Sequence, residues 1–143
     1  MFAKTKTYGD VELTVSRPSV TTSVTVEGEK REPADGKVFL LLHLTAENVA
    51  NEGPVNPPRD LTYRYDGTRH RVTTGRDIDA TDEIESPDKP LYNGNGGIWP
   101  GVTRKGWVFG EVPAGRDQVT VAWKYRGYRA DERTIEWSVP IPD

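Results

Sequence analysis

The sequence contains no cysteine. That absence removes disulfide staples, thiolate nucleophiles and thiolate-based zinc sites in one step. Histidine is scarce as well: His43 and His70 are the two present, so a multi-histidine metal site is excluded. No apolar run is long enough for a membrane-spanning helix, and Met1-Phe2-Ala3-Lys4 leads into no signal-peptide core. The expectation is a chain that does not span a membrane and carries no signal sequence within these residues. A basic block is also missing. Nineteen Lys and Arg and 22 Asp and Glu are interspersed for a formal charge of −3, which argues against a nucleic-acid partner. Finally, no window shows the i, i+3, i+4 apolar spacing of an amphipathic helix; at most one helical turn is expected, over 76–85.

What the sequence does have is alternation. In "DVELTV", Val11, Leu13 and Val15 share one face and Asp10, Glu12 and Thr14 the other. "VTTSVTV" puts Val20, Val24 and Val26 together; "LTYRY" groups Leu61, Tyr63 and Tyr65 against Thr62 and Arg64. "VTVAWKY" and "IEWSV" repeat the pattern with Val119, Val121 and Trp123, and with Ile135, Trp137 and Val139. Period-two alternation rich in β-branched and aromatic residues is the mark of half-buried strands. "KVFLLLHL" (37–44) is apolar on both faces and predicts a central strand covered on both sides, with His43 within it. Asp-Gly, Asn-Gly and Pro-Gly pairs punctuate these runs and supply the positive φ of tight turns. Pro140 and Pro142 cannot donate to a ladder and predict the end of the last strand, at a sheet edge.

The 143 residues suit one domain, 1–143. The fold class expected is all-β: an immunoglobulin-like, two-sheet antiparallel β-sandwich of seven to eight strands. The interval 73–98 holds no clear strand and reads as a long surface excursion.

The ordered pieces "DGKVFLLLHLTAENVAN", "LTYRYDGTRHRV", "PGVTRKGWVFGEVPAG" and "VTVAWKY" carry a resemblance. Gly36 and Asn48 bound one strand, Asp66-Gly67 follows the next, and Pro100-Gly101 launches a strand through Gly106, Val108, Phe109, Val112 and Pro113. Over residues 8–125 this pattern resembles the telokin-like, immunoglobulin-like domains of unknown function in exported prokaryotic proteins, a group that includes a secreted immunoprotective antigen. The resemblance implies an extracytoplasmic or cell-surface location, often with a lipid anchor. It brings no catalytic residues.

Few residues suggest chemistry. His70 lies between Arg69 and Arg71 with no sequence partner that marks a nucleophile or an orienting acid, so it reads as a strand residue. Tyr63 and Tyr65 alternate with Arg64, which sends rings and charges to opposite faces and argues against base stacking. "NGNGG" lacks the Lys-Ser/Thr and helix of a phosphate loop. Aromatics beside turns are the better candidates for gripping a protein or a surface glycan: Tyr92, Trp99, Tyr125 and Tyr128, with Arg104 nearby. Tyr92, Trp99 and Arg104 are therefore the expected partner-binding residues. No catalytic residue is expected.

The function expected is a non-enzymatic extracytoplasmic binding or interaction module acting through its loops. The alternatives are a small carboxylate-dependent hydrolase or glycan-acting enzyme, and a structural spacer in a larger surface assembly. Its oligomeric state has no signature in the sequence. No cofactor is expected, with calcium as the one candidate: Asp77, Asp79, Asp82 and Glu83 crowd hard oxygen ligands into one stretch, although the position-6 Gly of an EF-hand is missing. If that stretch binds calcium, millimolar calcium raises the melting temperature and chelator reverses the rise, because a native-state ligand stabilises by mass action. Coincident melting curves remove the site.

Overall fold

The computed structural model describes residues 2–8, 10–26, 28–49, 53–55, 58, 60–73, 83–86, 89–92, 97–126 and 132–142. For Tyr8, Asp60, 83–86, Lys89, 125–126 and 132–133 it describes the backbone alone. The strands are β1 (Ala3–Tyr8), β2 (Val11–Thr21), β3 (Val24–Val26), β4 (Glu29–Arg31), β5 (Lys37–Asn48) and β6 (Asp60–Tyr65). They continue with β7 (Thr68–Arg71), β8 (Glu83–Ser86), β9 (Lys89–Pro90), β10 (Thr103–Pro113), β11 (Gln118–Arg126) and β12 (Glu132–Pro140). Among the described residues there is no helix, and every strand pairing within the sheets is antiparallel.

Two sheets form the sandwich, with strand orders β1-β2-β5-β10 and β12-β11-β6-β7. The chain switches sheets after β5 and again after β10, which is the immunoglobulin-like arrangement. Alternation delivers the core as expected. Val11, Leu13 and Val15 of β2 and Leu40, Leu42, Leu44 and Ala46 of β5 face inward from one sheet. Leu61, Tyr63 and Tyr65 of β6, Val121 and Trp123 of β11 and Trp137 of β12 face them from the other. Trp123 and Trp137 stack with ring centroids 6.3 Å apart and supply the bulkiest buried surface. The buried Tyr63 hydroxyl donates to the Leu40 carbonyl at 2.9 Å, tying the sheets together through a polar contact. Burial raises the Tyr63 phenol far above its ordinary pKa, so it stays a neutral donor.

A third sheet, β4-β3-β8-β9, covers the outer face of the first. Its Val24 and Val26 pack with Phe39 and Leu41 of β5 and with Trp107 and Phe109 of β10. This is why "KVFLLLHL" is apolar throughout: its alternate residues enter two different cores. His43 lies on the outer side, its ring edge-on to Trp107 at 5.2 Å.

Three expectations are corrected here. Val20 does not share a face with Val24 and Val26: it packs against the sandwich core, while they belong to the third sheet. A bulge between Ser16 and Ser19, with Arg17 at φ 53° before Pro18, shifts the alternation, and the chain changes sheets at 22–23. Likewise 73–98 is not strandless, since β8 and β9 lie inside it, and 83–85 is strand, not helix.

Thr73, Leu91 and Tyr92 of that interval lie along the outer edge of β10. Thr73 exchanges hydrogen bonds with Phe109, and the Tyr92 N–H donates to the Trp107 carbonyl at 2.8 Å. Gly106 permits this approach: a Cβ there would lie 2.5 Å from both N and Cα of Tyr92. Gly110 is similarly close to the Tyr63 ring, at 3.0 Å. The obstacle at Gly106 is backbone, which cannot rotate aside. Gly106→Ala is therefore expected to lower stability by about 1–3 kcal/mol, read as a lower urea midpoint. An unchanged midpoint would show that the Leu91–Tyr92 segment is not held against β10.

Candidate functional site

Asn48 ends β5 and is 1% exposed, the one buried polar residue among those described. Its side-chain amide donates to the carbonyls of Gly53 (3.0 Å) and Ile98 (2.9 Å). Its backbone continues the ladder: its N–H donates to the Val102 carbonyl at 3.3 Å and its carbonyl accepts from the Gly101 N–H at 3.0 Å. Val55 and Ile98 exchange two further bonds of 2.9 and 2.8 Å. One side chain thus joins the segments 53–55 and 97–102 to the end of the sandwich. Beyond its place in the family-like pattern, nothing in the sequence marks this role, because an Asn after an apolar strand reads as a turn residue.

The segment held in this way is a tight turn. Its first residue is Trp99, whose carbonyl accepts from the Val102 N–H at 2.9 Å. Pro100 presets its own φ, and Gly101, at φ 79°, provides the positive value that the third position of a type II turn requires. The turn carries Trp99 outward. At 63% exposure it is accompanied by Val102 (46%) and by Val49 (42%), the residue after Asn48. These are the exposed large hydrophobic residues among those described, and all three sit on backbone joined by Asn48. A rigid turn presenting an indole loses little freedom on contact, which favours binding.

The other expected partner residues fall elsewhere. Tyr92 is not an exposed aromatic. It is fully buried in the sandwich core, and its hydroxyl donates to the Pro58 carbonyl at 2.7 Å, so it supports the same end from within. Arg104 is half-buried near the start of β10, opposite Ala46. Asp77, Asp79, Asp82 and Tyr128 lie outside the described residues, as do the side chains of Glu83 and Tyr125. Among the described residues no group of three or more His, Asp or Glu could hold a metal ion. His70 stacks on Tyr65 with centroids 4.0 Å apart.

A separate open groove of about 730 Å3 lies between β4 and β7, floored by Phe39, Phe109 and Gly110. No helix among the described residues is long and apolar enough to cross a membrane.

No protein-family model matches the chain. No curated protein matches it either. Among solved structures, it is similar in fold to an inferred lipoprotein (ycdA) from Bacillus subtilis subsp. subtilis str. 168, with a TM-score of 0.66 and 14% identity. The likeness covers 95% of this chain and 38% of that one, so the chain spans well under half the length of its structural neighbour. At that identity the two proteins are shown to share an architecture.

Proposed function

We propose that this chain is a non-enzymatic, extracytoplasmic interaction module that meets a protein or surface-glycan partner with the Trp99 end of its sandwich. The observation carrying this reading is the exposed Trp99 on a turn braced by Asn48. An indole left in water beside two exposed valines costs solvation in the free protein, and that cost is recovered when a partner covers it. Aromatic anchors of this kind dominate binding energy at interfaces and also stack on sugar rings. The extracytoplasmic assignment draws on the fold shared with an inferred lipoprotein and on the telokin-like pattern in the sequence.

The test is saturable binding of the purified chain to envelope material of its native host. Trp99→Ser combined with Val49→Ser and Val102→Ser is expected to weaken binding at least about tenfold, the scale of a lost aromatic anchor, with an unchanged melting temperature. Asn48→Ala is expected to lower both stability and binding, because it releases the turn that presents Trp99. Wild-type binding by the triple variant would overturn the reading.

A further inference from the structure

We propose that the groove between β4 and β7 binds an extended acidic peptide by strand addition. This site lies away from the Asn48 end and does not rest on the Trp99 reading.

The walls come first. Among the described residues, β7 pairs with β6 alone and β4 with β3 alone, so each is an edge of its sheet. Both edges line the same recess. Open edges present unpaired backbone donors and acceptors, which an extended chain satisfies by lying alongside. The neighbouring edge of β10 is closed to such a guest where Thr73 bridges Phe109 and Leu91 bridges Trp107. Among the described residues, the groove therefore lies beside the part of the β10 edge that is already bridged.

The second argument is charge. Arg64 is paired with Glu136 at 2.8 Å and Arg116 with Asp66, but Arg31, Arg69 and Arg71 have no ion pair among the described residues. The lining holds four cations, Lys30, Arg31, Arg69 and Arg71, against three acids, Glu29, Glu32 and Glu111. Glu32 pairs with Lys30 at 3.6 Å, and a Glu111 carboxylate oxygen accepts from the Ala34 N–H at 2.8 Å, which leaves Glu29. The recess therefore carries a small excess of positive charge, and two of its arginines without an ion pair, Arg69 and Arg71, lie on the β7 edge.

The third argument is period. Arg69 and Arg71 are two residues apart on one strand, so they share a face. In register they sit opposite Arg64 and Thr62, on the side away from the buried Tyr63 and Tyr65. A strand added beside β7 would place carboxylates at every second position against them, where opposite charges across a strand pair attract. Its intervening residues would share the face of His70, the lining residue between the two arginines. The ligand class follows: an extended peptide with acidic residues at alternate positions. A phosphate-rich polymer would be drawn by the same arginines, but it would not use the strand edges.

The experiment titrates the full chain into a fluorescent peptide, acetyl-Asp-Val-Asp-Val-Glu-Ile-Glu-amide, and follows anisotropy. Three comparators are the peptide N-methylated at alternate amides, its lysine counterpart, and inorganic polyphosphate. Saturable binding of the acidic peptide alone is expected, with amide-exchange protection appearing in β7 or β4 of the wild-type protein. Arg69→Glu with Arg71→Glu, at unchanged melting temperature, is expected to weaken binding about tenfold. No binding at millimolar peptide would overturn the proposal. So would equal binding of the N-methylated peptide, since strand addition needs its N–H groups. Arginine-dependent binding of polyphosphate without peptide binding would assign the groove to a phosphate polymer and overturn it too.

Discussion

The antiparallel pairing of β5 with β10 is the constraint from which the rest of the architecture follows. It runs without a shift from Glu47 opposite Thr103 to Lys37 opposite Pro113. Both strands are apolar on both faces, so neither can rest on a single layer. Leu40, Leu42, Leu44 and Val108 require the second sheet; Phe39, Leu41, Trp107 and Phe109 require the third. An antiparallel sheet ordinarily leaves one face in water. Here that option is closed by composition, and the small sheet exists to cover what would otherwise be an exposed aromatic surface.

The same pairing positions both candidate sites. At one end, β5 stops at Asn48 and β10 starts at Thr103, and the turn bearing Trp99 is tied between them. Further along β10, Phe109 and Gly110 form the floor of the groove, while the edges β4 and β7 form its walls. The two proposed surfaces are thus separate outcomes of one strand pair. Each rests on rigid backbone, so ligand contact at either would not require the core to move.

The sandwich was legible because alternation is a local property. Leu61, Tyr63 and Tyr65, or Val121 and Trp123, announce their burial by spacing alone, and the two-faced β5 announces two neighbours. Gly106 and Gly110 could be read as points of close approach within a strand, though not as to what approaches. What spacing could not show is where a chain leaves its sheet. The bulge around Arg17 shifts the alternation and the crossing at 22–23 separates Val20 from Val24, yet the letters continue as if on one face. Tyr92 stands beside a Gly-rich run and looked exposed, but its burial depends on Gly106, which is distant in sequence. Asn48 was hidden for the same reason: its two acceptors, Gly53 and Ile98, come from loops that no periodicity describes. Trp99 was legible because Pro-Gly immediately after it marks a turn, and turns lie at the surface.

The placement of β5 also bears on how the fold shields its most apolar segment. "VFLLLH" has the composition of an aggregation-prone segment: strongly apolar, suited to strands, and free of acidic charge and proline. In the native molecule it lies between β2 and β10 and beneath two other sheets, so it never presents an edge on which another chain could grow. The outermost strands carry the opposite character: β1 is lined by Lys4 and Lys6, β7 by Arg69 and Arg71, and β4 by Glu29 and Lys30. The hazard is thus confined to the unfolded chain, because the strand that carries it is the one placed in the middle.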